Sequence, residues 1–569
     1  MNMIMTPLAR AKLLFLVFVI TVLPLSCRKH DFLAHRWVRV SRTLQSDRHV
    51  AEIRDIVEQA SQNGLNGMVL SANLDQLDLQ PPAYFKRLAQ VKEICAANGV
   101  EIIPIIFSAG YGSAVLFRNK NLAAAFPVRD LPYTVRNGKA YLQRDAGIHV
   151  ANGGFERASG NRVEGSMVHE LPGQISFVDA KTKWRGKNSL RFENFSEHPN
   201  GNARLIQQIE VKPNRNYRIS FLTKTNGLKP IGGFRTQIYG ENQQILMVRD
   251  NEIPSTSGWK QLAVAFNSLN HDKVNLYIGI WGGKEGKFWL DEVRIEEIGL
   301  ANVLRRPGTP VVVKNARTLD EYEEGKDYES IADPHLSFSS AHDGPPIRIL
   351  PGGRIGNGDQ LLVSYYHGIA FRGQVSVCMS EPELYDIWRQ RAKLIAEHLP
   401  SNKIFLSMDE IRQGGMCQAC KQRGISMAEI LGECITKQTE IIRSMWPHAE
   451  IFVWSDMLDP NHNAHDNYYL VEGDFAGSWQ HVPGDITVVC WSHRIREESL
   501  AHFSSLGFKT LAGAYYDGSS LDNPRDWLKV LERTKGATGI MYTTWQNKYE
   551  LLIPFAKLLS ERRREVNEE

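Results

Sequence analysis

The sequence predicts an α/β protein: a (β/α)8 TIM barrel with an inserted antiparallel β-sandwich of jelly-roll type. Eight short apolar segments rich in β-branched residues recur along the chain, with helical patterns between several of them. One long internal segment changes to alternating apolar and polar residues. Strands buried on both faces give continuous apolar runs, whereas sandwich strands alternate. An open doubly wound sheet is the alternative, but no glycine-rich phosphate loop follows the first segment.

The eight apolar segments are the predicted barrel strands. In chain order they cover residues 36–42, 67–73, 101–112, 403–410, 451–456, 487–493, 510–517 and 539–545. Apolar residues at helical spacing occur at 53–60, 85–91 and 427–435. Gly64 and Gly99 follow the first two of these patterns, where helix C-caps are expected. The active site of such a barrel lies at the C-terminal ends of its strands.

Changes of pattern divide the chain into five predicted parts. Residues 1–27 form a signal segment, and residues 28–147 contain the first three barrel strands. Residues 148–299 form the β-sandwich, in which Gly, Asn, Pro and Ser turns separate the alternating runs. Residues 300–370 are an extra β segment, and residues 371–569 contain barrel strands four to eight.

The N-terminus has the pattern of an export signal. Arg10 and Lys12 precede an apolar run that ends at Cys27 and is short for a membrane span. Leu23, Ser26 and Cys27 resemble the end of a bacterial lipoprotein signal, with Cys27 as the acylated residue. We therefore expect a protein exported to the periplasm or cell surface and attached to the membrane by a lipid. An uncleaved N-terminal anchor is the alternative.

Charge and cysteine content narrow the possible partners. The net charge of +4 is small for 569 residues and the basic residues are dispersed, so nucleic acid is not an expected partner. Apart from Cys27, six of the seven cysteines remain. Cys417-x-x-Cys420 could form a disulfide or half of a metal site. Because no second Cys-x-x-Cys completes a zinc site, the sequence favours a disulfide or free thiols.

The candidate catalytic residues are the adjacent acids Asp409 and Glu410, which end the fourth predicted strand. A strand interior cannot hold two charges cheaply, but a strand end that opens into a cleft can. Two carboxyl groups can divide the work of glycoside hydrolysis, and one of them must hold a proton near neutral pH. Trp454, Trp491 and Trp545 end other strands, and aromatic faces suit the C–H faces of sugars.

The barrel part resembles glycoside hydrolase family 20, the exo-β-N-acetylhexosaminidases, and more loosely family 123, which carry an Asp-Glu pair after strand four. The resemblance implies retaining hydrolysis of β-linked N-acetylhexosamine glycans, in which the acetamide oxygen of the substrate attacks the anomeric carbon. Asp409 would orient the acetamide, and Glu410 would protonate the leaving oxygen. No cofactor is expected for catalysis, and the expected partner is an oligosaccharide or polysaccharide.

The same resemblance, together with the aromatic residues at the strand ends, indicates a set of substrate-binding residues. They are Arg36 (strand one), Tyr111 (three), Trp454 and Asp456 (five), Trp491 (six), Tyr515 and Asp517 (seven), and Trp545 (eight). The loop 456–466 also carries Asp and His residues that could line the cleft or bind a divalent metal. Two alternatives stay open: a retaining hydrolase of a non-acetylated sugar that uses the same two acids, and a non-catalytic glycan-binding lipoprotein.

The ends of the predicted sandwich carry a second resemblance. Gly154-Phe155-Glu156 at its start and the run 288–293 at its end resemble carbohydrate-binding modules of the family 4/9/22 type. The resemblance implies a structural calcium near the matching acids, so Glu156 and Asp291 are candidate ligands. A solvated turn and a strand-end carboxylate are the alternative roles of these two residues.

Overall fold

The computed structural model describes residues 31–568, and its eight parallel strands close into a barrel. The strands are β1 (His35–Ser41), β2 (Gly67–Ser71), β3 (Glu101–Ile106), β4 (Lys403–Leu406), β5 (Glu450–Trp454), β6 (Thr487–Cys490), β7 (Lys509–Tyr515) and β8 (Ala537–Thr543). Each strand pairs with the next one in the chain, and β8 pairs with β1. The predicted barrel is therefore confirmed, with every predicted strand in place.

Within residues 31–568, seven long helices surround or follow the strands. They are α1 (Asp47–Gln62), α2 (Pro82–Ala97), α3 (Pro382–His398), α4 (Met427–Met445), α5 (Arg496–Ser505), α6 (Asp522–Leu531) and α7 (Leu552–Glu568). Gly64 and Gly99 lie just beyond α1 and α2 with φ of +89° and +64°, as expected for helix C-caps. Shorter helical turns cover Leu74–Leu79, Ser113–Leu116, Lys120–Leu122, Phe195–Glu197, Ile231–Gly233, Gln418–Lys421, Asp456–Leu458, Ser478–Gln480 and His493–Ile495.

Side-chain alternation along the strands separates the barrel interior from the helix layer. On β1, Trp37 points into the interior cluster, while Val38 and Val40 pack outward against the helices. The same parity places Phe405 of β4 and Phe452 of β5 in the interior. The inward positions nearest the C-terminal strand ends therefore face the mouth of the barrel.

The inserted segment forms two five-stranded antiparallel sheets. In spatial order, one contains Ser257–Asn267, Asn216–Lys229, Glu285–Glu297, Ser189–Phe192 and Ser176–Asp179. The other contains Ile245–Asp250, Phe234–Gly240, Lys273–Ile280, Ala203–Glu210 and Val168–His169. A common apolar core joins them, with Phe221 and Phe288 from the first sheet and Phe234 and Ile278 from the second. A hairpin of Ala158–Ser159 and Arg162–Val163 precedes them.

A third, six-stranded sheet lies between the sandwich and the barrel in sequence. Its strands, in spatial order, are Glu321–Tyr322, Val312–Asn315, Gln360–His367, Phe126–Arg136, Lys139–Leu142 and Ile347–Arg348. Residues 126–142 thus pair with the extra β segment, although the sequence had grouped them with the first barrel strands. A two-stranded ladder, Gln413–Gly414 with Leu470–Val471, joins the loops that follow β4 and β5.

Two predictions concern the N-terminus. The signal segment 1–27 and the acylation of Cys27 lie outside the described residues. Within residues 31–568, no helix is both long enough and apolar enough to cross a membrane.

Candidate active site

A cavity of about 440 Å³ opens at the C-terminal mouth of the barrel. Its lining comes from every barrel strand or following loop except that of β2: Arg39, Tyr111, Ser407, Asp409, Glu410, Trp454, Trp491, Tyr516 and Trp545. Six of these residues were predicted from the sequence: the two acids, Tyr111 and the three Trp residues. The structure brings them together in one place.

Asp409 reaches the cavity because it follows the inward parity of β4. Phe405 fills the barrel interior, and Ser407 and Asp409 are the next two positions on that face. The Ser407 hydroxyl donates a hydrogen bond of 3.0 Å to Asp409 Oδ1. Burial, followed by the neighbouring charge of Asp456, raises the pKa of Asp409 to about 7. This carboxyl group can therefore carry a proton near neutral pH.

Glu410 reaches the same cavity by a change of backbone conformation. Its φ of +48° lies in the left-handed region, which is costly for a residue with a Cβ. Two hydrogen bonds hold it there: its N–H donates to Asp456 Oδ2 at 2.8 Å, and Gln374 Nε2 donates to its carbonyl at 2.7 Å. Without this turn, strand alternation would point Glu410 away from Asp409. Such stored strain is typical of functional sites.

The side chain of Glu410 has two polar partners. Arg412 Nη2 forms an ion pair of 2.7 Å with Glu410 Oε1, and the Tyr111 hydroxyl donates to Oε2. The Glu410 side chain is 25% exposed, so it is open to a ligand from the cavity. The two adjacent carboxyl groups thus occupy different environments. Glu410 forms an ion pair with a guanidinium, whereas Asp409 accepts a hydrogen bond from the neutral Ser407 hydroxyl.

Asp456 lies beneath the cavity and does not line it. It is fully buried, and its carboxylate accepts from the Glu410 N–H, from Asn463 Nδ2 at 2.9 Å and from Trp491 Nε1 at 3.3 Å. Burial raises its pKa to about 6. The structure therefore places Asp456 behind the site, where it positions the Glu410 backbone and the Trp491 ring. In the same loop, His462 packs edge-on against Trp491 with ring centroids 4.6 Å apart.

Aromatic rings form the wall of the cavity. Trp491 stacks on Tyr516 with an interplanar angle of 6°, and the ring centroids are 5.7 Å apart. Trp454 lies deeper, 5.9 Å from the ring of Trp545. Trp545 is 40% exposed at the rim. Flat apolar faces are thus available to a ligand from two sides.

Arg39 is a cavity residue that the sequence analysis did not select. Its guanidinium lies 4.2 Å from the Trp545 ring centroid and donates to the Thr544 carbonyl at 3.0 Å. Arg36, which was selected, lies at the other end of β1, where it donates to the carbonyls of Gly64 and Leu33. Strand alternation would have indicated Arg39, because Arg39 is on the same face of β1 as the inward Trp37 and lies nearer the strand's C-terminus.

The end of β7 departs from alternation in the same way as Glu410. Tyr515, Tyr516 and Asp517 have φ of +80°, +57° and +61°. This turn places Tyr515 outside the barrel, stacked on Tyr542 with centroids 4.1 Å apart, and puts Tyr516 in the cavity. Asp517 accepts from the Trp545 N–H at 2.8 Å and from the Thr544 hydroxyl, so it fixes the loop that carries Trp545.

The two predicted calcium ligands of the sandwich hold one loop. Asp291 Oδ2 accepts from the N–H groups of Trp184 and Arg185, and Glu156 accepts from the N–H of Lys187. Burial raises the pKa of Asp291. Among the described residues, neither acid belongs to a converging group of three or more His, Cys, Asp or Glu side chains. A calcium ion at this loop stays a prediction.

No protein-family model matches the sequence, and no curated protein matches it. Among solved structures, the chain is similar to a rhamnosidase from Novosphingobium sp. PP1Y at 11% identity, over 90% of this chain and 55% of that one, with a TM-score of 0.34. It is similar to a CBM4 structure at 13% identity, over 26% of this chain and 99% of that one, with a TM-score of 0.19. The CBM22-1 xylan-binding domain of Paenibacillus barcinonensis Xyn10C matches at 16% identity, over 27% of this chain and 95% of that one, with a TM-score of 0.20. The chain thus spans 55% of the rhamnosidase.

Proposed function

We propose that the protein hydrolyses glycosidic bonds in the cavity at the barrel mouth, with Asp409 and Glu410 as its catalytic carboxyl groups. One observation carries the proposal: two adjacent carboxyl groups of unequal environment share an aromatic-walled cavity. Glycoside hydrolysis needs one carboxyl group that holds a proton and one that is charged. A volume of about 440 Å³ is within the range of small-ligand sites and accommodates one or two sugar rings.

The resemblance to the β-N-acetylhexosaminidases supports one detailed mechanism. Asp409 would accept the acetamide N–H of a β-linked N-acetylhexosamine, whose carbonyl oxygen attacks the anomeric carbon with overall retention. Glu410 would then protonate the leaving oxygen. This division requires Glu410 to exchange its contacts with Arg412 and Tyr111 for the substrate. Inhibition by a thiazoline mimic of the cyclised acetamide tests this mechanism, because only a substrate-assisted enzyme has a pocket for that ring.

The contacts of Asp409 and Glu410 favour a second division of roles. Asp409 has the raised pKa of a proton donor, and Glu410 lies against a guanidinium that stabilises negative charge. Glu410 would then attack the anomeric carbon, forming a covalent glycosyl intermediate, while Asp409 protonates the leaving oxygen. This mechanism suits a sugar without an N-acetyl group, again with retention. In this mechanism the substrate approaches Glu410 while the Glu410–Arg412 ion pair is kept.

The pH dependence of kcat/KM separates the two divisions. If Asp409 donates the proton, it must be protonated in the free enzyme, so activity falls as pH rises through about 7. We expect this falling limb. It should disappear in the residual activity of Asp409→Asn measured with a 4-nitrophenyl glycoside, whose leaving group needs little protonation. A limb that rises through pH 7 would assign the carboxylate form to Asp409 and support the acetamide mechanism.

Trp545 is expected to act mainly in binding. We predict that Trp545→Ala raises KM about tenfold and changes kcat much less, because it removes an exposed stacking face and no reacting group. Steady-state kinetics on a soluble glycoside measure both constants. Trp184→Ala, at a 55% exposed Trp of the sandwich, is the matched control and should leave both unchanged. An unchanged KM in Trp545→Ala would mean that Trp545 at the rim of the cavity does not bind the substrate.

The remaining expectations belong to the same proposal. Export and acylation at Cys27 would place the barrel at the periplasmic or cell-surface side of a membrane. The sandwich would then hold the enzyme on its glycan while the barrel cleaves. Binding of the full chain to an insoluble polysaccharide tests this role of the sandwich, residues 148–299. The wild type is compared with a Trp184→Ala variant of the full chain.

A further inference from the structure

Three cysteine thiols converge away from the catalytic cavity. The Sγ atoms of Cys378, Cys417 and Cys420 lie 3.5–3.6 Å from one another. All three side chains are buried, with 5% exposure or less, and none lines the cavity. They form the one converging group of three or more His, Cys, Asp or Glu residues between positions 31 and 568. No disulfide links them or any other described cysteine.

The sequence had presented only two of the three ligands. Cys417 and Cys420 form a Cys-x-x-Cys turn after β4, and the absence of a second such pair had counted against a metal. Cys378 completes the group from the stretch before α3, a sequence separation of 39 residues from Cys417. Single cysteines at that distance carry no spacing signal, so only the fold reveals the cluster.

The surroundings of the thiols suit negative charge. Arg306, 3% exposed, acts on Cys378 and Cys417 electrostatically, and its Nη2 is buried without a hydrogen-bond partner among the described residues. Its Nε pairs with Glu381 at 2.7 Å. A metal ion displaces the protons of its thiol ligands, and the Arg306 guanidinium beside the cluster favours the negative charge of the thiolates that result.

We propose that Cys378, Cys417 and Cys420 bind one zinc ion. An ion about 2.3 Å from each sulfur would lie about 1 Å out of the plane of the three sulfurs, as in a tetrahedral site. That geometry leaves a fourth position for an oxygen ligand. Water takes that position where zinc has three protein ligands. Thiolate sulfur is a preferred ligand of zinc, and zinc bound by residues that are distant in sequence stabilises the fold that brings them together.

The position of the site links it to the catalytic loop. Cys417 lies seven residues after Glu410, on the loop that also carries Arg412. The opposite side is the stretch around Cys378, in which Gln374 donates to the Glu410 carbonyl and Ser376 N–H donates to Gln413 Oε1 at 3.0 Å. Zinc would therefore join the two segments that hold Glu410 in its left-handed conformation. This role rests on the proposed function, whereas zinc binding does not.

Metal content of the purified full chain tests the site. We expect about one zinc per chain in the wild type, and at least a fivefold loss in Cys378→Ser and Cys417→Ser. Cys95→Ser and Cys490→Ser, at buried cysteines on α2 and β6, should keep the wild-type content. Equal zinc in all four variants would overturn the proposal. So would a wild-type chain that binds no zinc after reduction and reconstitution.

A second measurement on the wild type holds even if the variants fail to fold. Zinc-edge X-ray absorption should show three sulfur neighbours at about 2.3 Å. A shell without sulfur would overturn the proposal, as would peptide mapping that finds a Cys417–Cys420 disulfide in the freshly isolated protein. Because none of these readouts uses hydrolysis, failure of the zinc site and failure of the glycosidase proposal are distinguishable.

Discussion

Glu410→Gln is expected to lower kcat/KM on a cleaved glycoside about 10³-fold while the protein stays folded. The amide keeps the shape of the side chain and can still accept from Tyr111. It can neither attack the anomeric carbon nor exchange a proton, so both divisions of roles predict the loss. Initial rates measured beside the thermal unfolding midpoint separate a catalytic defect from a folding defect. Wild-type activity in this variant would remove Glu410 from the mechanism.

Chemical rescue of Glu410→Ala by azide then identifies its role. If Glu410 is the nucleophile, azide attacks from the vacated side and gives a glycosyl azide with configuration inverted from the substrate. If Glu410 is the general acid and base, rescue gives a product of retained configuration. Glu433→Gln, at a surface glutamate of α4 paired with Arg423, is the matched control and should behave as the wild type.

Asp456→Asn is expected to lower kcat about 10²-fold with little change in KM, because small displacements of a reacting group are this costly. Asp456 accepts from three donors, two of them on the same oxygen. An asparagine offers one carbonyl oxygen and adds an NH2 donor, so at least one of those donors then faces another donor. If the amide oxygen faces Glu410, the Glu410 N–H keeps only an uncharged acceptor, and if the NH2 group faces it, that N–H has no acceptor; either way the left-handed conformation of Glu410 loses support. Kinetics of the purified variant on one glycoside measure both constants.

The matched control is Asp459→Asn, in the same loop. Asp459 is equally buried but accepts from Asn461 and does not contact Glu410. Its variant should keep the wild-type kcat within a few fold. Equal losses in both variants would mean that the loop as a whole, and not the Asp456–Glu410 contact, supports activity.

Strand alternation explains how much of the candidate site can be predicted from the sequence. The apolar segments located all eight strands, and the polar or aromatic residues that end them located Asp409, Trp454, Trp491 and Trp545 at the mouth. Applied strictly from Trp37, the same rule would also have selected Arg39 in place of Arg36. The barrel and most of its cavity lining are therefore readable from local pattern.

The residues that sequence reasoning misplaced depend on local backbone turns or on distant pairing. Left-handed residues at the end of β7 exchange the faces of Tyr515 and Tyr516, and no composition signal marks them. The pairing of Phe126–Arg136 with Gln360–His367 spans the whole inserted sandwich. Cys378 joins Cys417 in the same nonlocal way. Contacts between residues so far apart in sequence depend on the complete fold, so local sequence patterns do not predict them.

Hydrolysis of a panel of 4-nitrophenyl glycosides and glycan oligomers, with and without N-acetyl groups, tests glycosidase activity most directly. The wild type should release product from at least one substrate, and both Asp409→Asn and Glu410→Gln should lose most of that release on oligomers. Release only from N-acetylated substrates would select the acetamide mechanism, and release only from non-acetylated ones would select Glu410 as nucleophile. A folded wild type that cleaves nothing, or a Glu410→Gln variant that cleaves as fast as the wild type, would contradict the proposal that this cavity hydrolyses glycosides.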